Sequence, residues 1–164
     1  MVEHICLRPE RAEDERLLFD LYASTRQEEL ELTGWDARTR AAFLDMQFNA
    51  MRSGYRAMFP TAEFSIVLCD AKEIGRMVVH RTNQEIRVVD LVLLPDFRNR
   101  RIGTLLMQRV CDEAARSGKK VTLSVLKNSR PVGWYRRLGF STVSEAGIYE
   151  EMERLRITPA SSTG

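Results

Sequence analysis

No apolar run in this chain approaches the roughly 20 residues that a membrane-spanning helix needs. Its start, Met1-Val2-Glu3-His4-Ile5-Cys6-Leu7-Arg8, lacks the basic-then-apolar order of a signal peptide. A cytoplasmic protein without a membrane partner is expected. Cysteine is scarce: Cys6, Cys69 and Cys111 are odd in number, far apart and set beside aliphatic residues, which excludes a disulfide framework and reads as small buried hydrophobes. With two histidines, His4 and His80, and no Cys-x-x-Cys pair, a zinc site would need scattered ligands, so no metal is expected. Nine glycines and five prolines in 164 residues leave no room for a collagenous or low-complexity chain. What remains is one ordinary globular domain, large enough to bury a core.

Charge is the first positive signal. The net of +2 conceals an uneven distribution: residues 1–95 hold 12 Lys and Arg against 16 Asp and Glu, net −4, residues 96–137 hold 11 against 3, net +8, and residues 138–164 hold 2 against 4, net −2. Such a split suggests a polyanion on the basic block and a cation approaching the acidic one. A solvated basic helix face explains the same count.

Ile5-Cys6-Leu7 predicts a first strand ended by Pro9, and Leu17, Leu18, Leu21 and Tyr22 at helical spacing predict a helix over residues 11–29. Asp36 is placed to cap a second helix carrying Phe43, Met46, Phe48, Ala50 and Met51 and ending near Gly54 or Pro60. The β-branched runs 64–69 and 74–80 flank the turn Asp70-Ala71-Lys72-Glu73 as a hairpin, and residues 86–94 read as a strand mostly buried on both faces. After Pro95, an arginine-rich connection leads to a long helix on Ile102, Leu106, Val110 and Ala114, stopped by Gly118. A strand over 121–126, a short helix capped by Asn128-Ser129 and running to Arg137, and late strands after Phe140 and around 148–152 complete the order. The expectation is a single-domain α/β fold over residues 1–157, a mixed sheet with helices on both faces, followed by a disordered tail over 158–164.

Two segments carry chemistry. Arg98-Asn99-Arg100-Arg101-Ile102-Gly103-Thr104 joins a buried strand to a helix, bringing backbone N–H groups, a positive helix end and guanidinium forks together as a phosphate site. It is neither a Walker A nor a dinucleotide fingerprint. The second runs from Asn128 through Trp134-Tyr135-Arg136-Arg137-Leu138-Gly139-Phe140.

Together these segments resemble the GNAT N-acetyltransferase superfamily, whose pattern is Gln/Arg-x-x-Gly-x-Gly/Ala opening the long helix, then an Asn and Leu-Tyr-x-Lys-x-Gly-Phe. Arg98 and Gly103 match the first; Asn128, Tyr135, Gly139 and Phe140 match the second. Order and flanking strands agree, so the resemblance spans essentially the whole domain and implies a mixed, mostly antiparallel sheet. One position departs: Arg101 stands where the family has its first glycine. A side chain there is acceptable only if the backbone still presents its N–H to a pyrophosphate, and the arginine could add a phosphate contact.

The resemblance implies acetyl-CoA as co-substrate, with its pyrophosphate on residues 98–104 and its pantetheine on the main chain near Leu93 and Leu94 and on Asn128. It implies Tyr135, a phenol whose ordinary pKa is about 10, as the general acid that protonates the leaving thiolate. Asp90, an acid inside an apolar strand, is the candidate base, with pairing to Arg87 or another arginine as the alternative. Glu28, Glu29, Trp35 and Tyr149 are candidates for holding a cationic amine acceptor, a small molecule or a peptide. The resemblance leaves a homodimer through the late strands open. Two other readings also stay open: a non-catalytic acyl-CoA-binding or regulatory module, and a nucleic-acid binder, which is disfavoured because the basic residues are not interleaved with aromatics.

Overall fold

A computed structural model describes residues 3–155. The expected tail over 158–164 lies outside them. The elements are β1 (Ile5–Pro9), α1 (Glu15–Glu31), α2 (Ala37–Met58), β2 (Glu63–Cys69), β3 (Lys72–Arg81), β4 (Glu85–Leu93), α3 (Ile102–Ser117), β5 (Lys120–Leu126), α4 (Arg130–Arg137), β6 (Ser141–Ala146) and β7 (Tyr149–Arg154). One seven-stranded sheet in the order β1-β2-β3-β4-β5-β7-β6 is mostly antiparallel, with β4 and β5 parallel, and helices flank it. The chain divides into two compact units, Met1–Val78 with Asp90–Arg100, and Val79–Val89 with Arg101–Gly164.

In the first unit β1 pairs antiparallel with β2 from Ile5↔Cys69 to Pro9↔Ser65. Pro9 therefore belongs to β1, as its last residue, where the missing N–H is tolerated. Leu18, Leu21 and Tyr22 of α1 pack with Phe48 of α2 and Ile66 of β2, and Val92 and Leu94 lean on this cluster. Phe19 and Phe48 meet edge to face at 5.5 Å, an arrangement the ring quadrupoles favour. Asp36 caps α2 by accepting the Thr39 N–H at 2.7 Å. Of the five residues expected on the inner face of α2, Phe48 alone is fully buried, Phe43 and Met51 are half-buried, and Met46 is 61% exposed. Helix spacing placed the stripe one residue too wide; Met46 and Ala50 turn to solvent.

In the second unit α3 buries Ile102, Leu106, Met107, Val110, Cys111 and Ala114, the stripe its four-residue steps predict. Gly118, at φ 66°, ends the helix in the left-handed conformation. The β4–β5 register runs from Glu85↔Lys120 to Val88↔Leu123, and β5 pairs with β7 from Val121↔Arg154 to Leu126↔Tyr149. Arg87 donates two hydrogen bonds to Glu151 at 2.9 and 3.0 Å, so it is committed there and not to Asp90. β4 buries Ile86, Val88 and Leu93 while the intervening residues are only half-buried. The burial expected on both faces is therefore only partial, with charged Arg87 and Asp90 among the half-buried residues. Among the described residues no helix is long and apolar enough to cross a membrane.

Candidate active site

The segment after β4 is shaped by its backbone. Pro95–Phe97 make one turn of 3-10 helix, and Phe97 N–H donates to the Leu94 carbonyl at 2.9 Å. Asn99 at φ 60° and Arg101 at φ 64° then adopt the left-handed conformation, which costs a side chain about 1 kcal/mol or more and turns successive N–H groups to one side. Helix α3 starts at once, its first bond running from Leu105 N–H to the Arg101 carbonyl, and no side chain caps it. Arginine at 101 takes up the left-handed backbone conformation that glycine would supply. These residues fit a diphosphate.

The arginines divide the work. Arg98 donates from Nε to the Leu93 carbonyl and from its terminal nitrogen to Ser24 Oγ, both at 3.0 Å, tying the loop to β4 and α1. Arg100 pairs with Glu3 and lies 5.0 Å from the Phe97 ring centre. Leu94 N–H donates to the Ile74 carbonyl at 2.8 Å and its carbonyl accepts from Phe97, so both main-chain groups of Leu94 are engaged. Gly103 lies under Trp134, whose ring carbons would be 3.4 Å from an added Cβ, and Trp134 Nε1 donates to Thr104 Oγ1 at 3.2 Å. Asn128 is exposed at φ 56°, just before the start of α4. Tyr135 is half-buried, with ring centres 4.7 Å from Trp134 and 5.7 Å from Phe140.

Asp90 opens on a cavity of about 150 Å³ within the first unit. Tyr22, Thr25 and Arg26 of α1, Tyr55 of α2 and Arg76 of β3 share its wall with Asp90. Burial pushes the Asp90 carboxyl up to about 6; the positive charge of Arg76 and the Leu91 N–H act against that rise, and the negative charge of Glu10 adds to it. Arg76 itself is 2% exposed. Its Nε lies 3.4 Å from Glu10 Oε2 without forming a hydrogen bond. Gly75 allows the strand to come this close: a Cβ there would stand 2.5 Å from the Val92 carbonyl oxygen.

The acceptor residues expected from sequence lie on α1, before α2 and on β7. Glu28 is exposed on α1, Glu29 pairs with Arg26 at 3.2 Å, Trp35 packs on Phe43 at 5.3 Å, and Tyr149 is 45% exposed in β7. Sequence reasoning passed over Arg76 and Glu10. The signal was there for Arg76: it is the lone charge in Ile74-Gly75-Arg76-Met77-Val78-Val79, as Asp90 is in its own strand. Among the described residues no group of three His, Cys, Asp or Glu could hold a metal ion.

Comparison with known proteins agrees with this geometry. No curated protein matches the chain. Solved structures match over almost its whole length. The PaiA N-acetyltransferase of Thermoplasma acidophilum, in complex with coenzyme A, shares 18% identity over 93% of this chain and 99% of its own, with a TM-score of 0.66. A GNAT family acetyltransferase of Elizabethkingia anophelis with acetyl-CoA bound shares 15% over 92% and 97%, TM-score 0.56. An acetyltransferase of Thermus thermophilus shares 14% over 92% and 96%, TM-score 0.66. At these identities the likeness is one of fold. A model of the acetyltransferase (GNAT) domain matches residues 60–142, from β2 through the diphosphate cradle to the Tyr135 segment, and with it the chain belongs to the GNAT acetyltransferase family.

Proposed function

We propose that the protein transfers the acetyl group of acetyl-CoA to the primary amine of a small molecule or peptide by direct attack. The observation that carries this reading is the uncapped start of α3 behind two left-handed residues, Asn99 and Arg101, a cradle for a diphosphate in a family of acetyltransferases. In the overall reaction an ammonium gives up its protons, the nitrogen–carbon bond forms, the carbon–sulfur bond breaks, and the products are an amide, the CoA thiol and one released proton.

Acetyl-CoA supplies the activated acyl carbonyl. Residues 98–104 bind its diphosphate through main-chain N–H groups, while the main chain near Leu93 and Leu94 and the Asn128 side chain hold the pantetheine arm. The main-chain N–H at Leu93 faces the charge that gathers on the carbonyl oxygen. Asp90, held in a largely dry site with its carboxyl near neutrality, takes a proton from the acceptor ammonium. Tyr135 gives its hydroxyl proton to the departing sulfur.

The test has two arms. CoA should raise the melting temperature, and thiol should be released from acetyl-CoA in the presence of an amine panel. Tyr135→Phe should then cut turnover with CoA binding retained. Absence of any CoA-dependent stabilisation would overturn the reading; binding without thiol release on any amine would instead make the chain an acyl-CoA-binding module.

A further inference from the structure

Two guanidinium groups line the cavity beside Asp90, and although Arg26 is ion-paired with Glu29 and Arg76 with Glu10, each keeps a buried nitrogen with no hydrogen bond. Arg76 is almost wholly buried on its wall, yet its Nε has no hydrogen-bond partner, and the Nε of Arg26, on another wall, is likewise buried without one. Buried polar donors without partners are rare in folded proteins, and a charged one left unpaired is costly. Glu10 does not repair this. Its Oε1 accepts from Arg56 at 3.0 Å, and its Oε2, also unpartnered, misses the geometry of a bond to Arg76. Arg76 and Arg26 are the cationic groups lining the cavity, and Asp90 is its acidic one.

The position of the cavity matters as much as its charge. Thr25 and Val92 line it, and their neighbours Ser24 and Leu93 hold the Arg98 side chain. On both α1 and β4, then, a residue lining the cavity adjoins in sequence one that holds Arg98. Its volume, about 150 Å³, suits a group of a few heavy atoms, comparable to cavities that accept a benzene ring.

We infer that the cavity is the acceptor subsite and that it selects an amine carrying a carboxylate, an amino acid or a close relative, with the carboxylate on Arg76 and Arg26 and the amine directed to Asp90. A guanidinium fork meets a carboxylate with two parallel N–H bonds, so the ligand supplies the acceptors the fold withholds. The two signs of charge on one wall suit a zwitterion and reject a simple polyamine. The inference rests on the acetyl-transfer reading for its chemistry, but not for its binding.

Two measurements separate them. The first follows thiol release from acetyl-CoA with the twenty L-amino acids and the matching amino-acid amides. The free acids should exceed their amides in kcat/KM by about tenfold or more, the worth of a hydrogen bond to a charged group. Arg76→Gln and Arg26→Gln should each erode that ratio through KM, with the CoA-induced rise in melting temperature intact. Arg26 lies on a partly exposed helix face, so its variant serves if Arg76→Gln fails to fold. The second is calorimetric titration of the same acids and amides into the CoA-loaded protein, which reads the subsite even without turnover. Amides that react and bind as well as acids, or a ratio unmoved in Arg26→Gln, would overturn the inference and leave acetyl transfer standing. Acid-selective binding without thiol release on any amine would keep the subsite and remove the acetyl-transfer reading.

Discussion

Two arginine–carboxylate clusters in the first unit differ in what they leave unfinished. Around Arg8 every group is answered: its guanidinium donates to Asp14 at 2.7 and 2.8 Å and to Glu73 at 2.8 Å, and Asp14 also accepts the Arg11 N–H at 2.7 Å. Asp14 is 5% exposed, and the Arg8 hydrogen bond holds its carboxyl below the usual carboxylate range. Around Arg76 the donors and acceptors do not meet, a cavity intervenes, and Asp90 moves the other way, up to about 6. Similar residue types, similarly covered, serve opposite ends. The finished cluster pins the turn after β1, and the unfinished one keeps charge and hydrogen-bonding capacity for a ligand.

The contrast can be broken first where its effect is largest. Asp14→Ala removes two charged hydrogen bonds from Arg8, which keeps Glu73, and the bond from Arg11 N–H, and should cost about 2–3 kcal/mol, read as a fall in melting temperature at pH 7, with turnover per folded molecule unchanged. Because Asp14 titrates low in the fold, that contribution is present above pH about 4 and fades as the pH falls through its depressed value. Asp90 has the reverse sign. Its carboxyl is raised in the fold, so the neutral form favours folding at low pH and ionisation opposes folding as the pH rises through about 6. Asp90→Asn should therefore stabilise the protein at pH 8, by up to about 3 kcal/mol, and match the wild type near pH 4. A gain that persists at pH 4 would show that ionisation is not the cause.

The same variant sharpens the comparison in activity. Asp90→Asn should lower thiol release by about a hundredfold and flatten the rise in rate that the wild type shows as the pH climbs through about 6. A wild-type profile flat through that interval would remove Asp90 as the base. The smallest effect falls on a third arginine, one constrained by its backbone rather than its partners. Arg101→Gly should relieve the left-handed conformation at φ 64° and raise stability by about 0.5–1 kcal/mol in chemical denaturation, with CoA binding preserved. Loss of CoA binding in that variant would show that the guanidinium, not the amides, holds the diphosphate.

Much of this was legible beforehand. The strand and helix order, the α3 stripe, the Asp36 cap and the Gly118 stop follow from local rules of spacing and capping, and the structure repeats them. Asp90 stood out because an acid in an apolar run must be answered somewhere. Arg76, in the middle of β3, carried the same mark and was passed over. Glu28 and Glu29 drew attention by their place near the connection between α1 and α2, and sequence alone could not show that both are exposed there. Met46 was assigned to the interior because its spacing fits a stripe whose width only the partner surface defines.

The order of amino acids alone determined the elements, the family and the arginine-rich turn proposed to cradle a diphosphate, because each depends on residues close together in the chain. Tertiary structure decided what Arg76 and Asp90 are for. They lie on different strands, beneath side chains from α1 and α2, and their properties come from the water those helices remove. Desolvation belongs to the assembled surroundings of a group rather than to its neighbours in sequence, so the same two residues in open solvent would be an ordinary pair of surface charges.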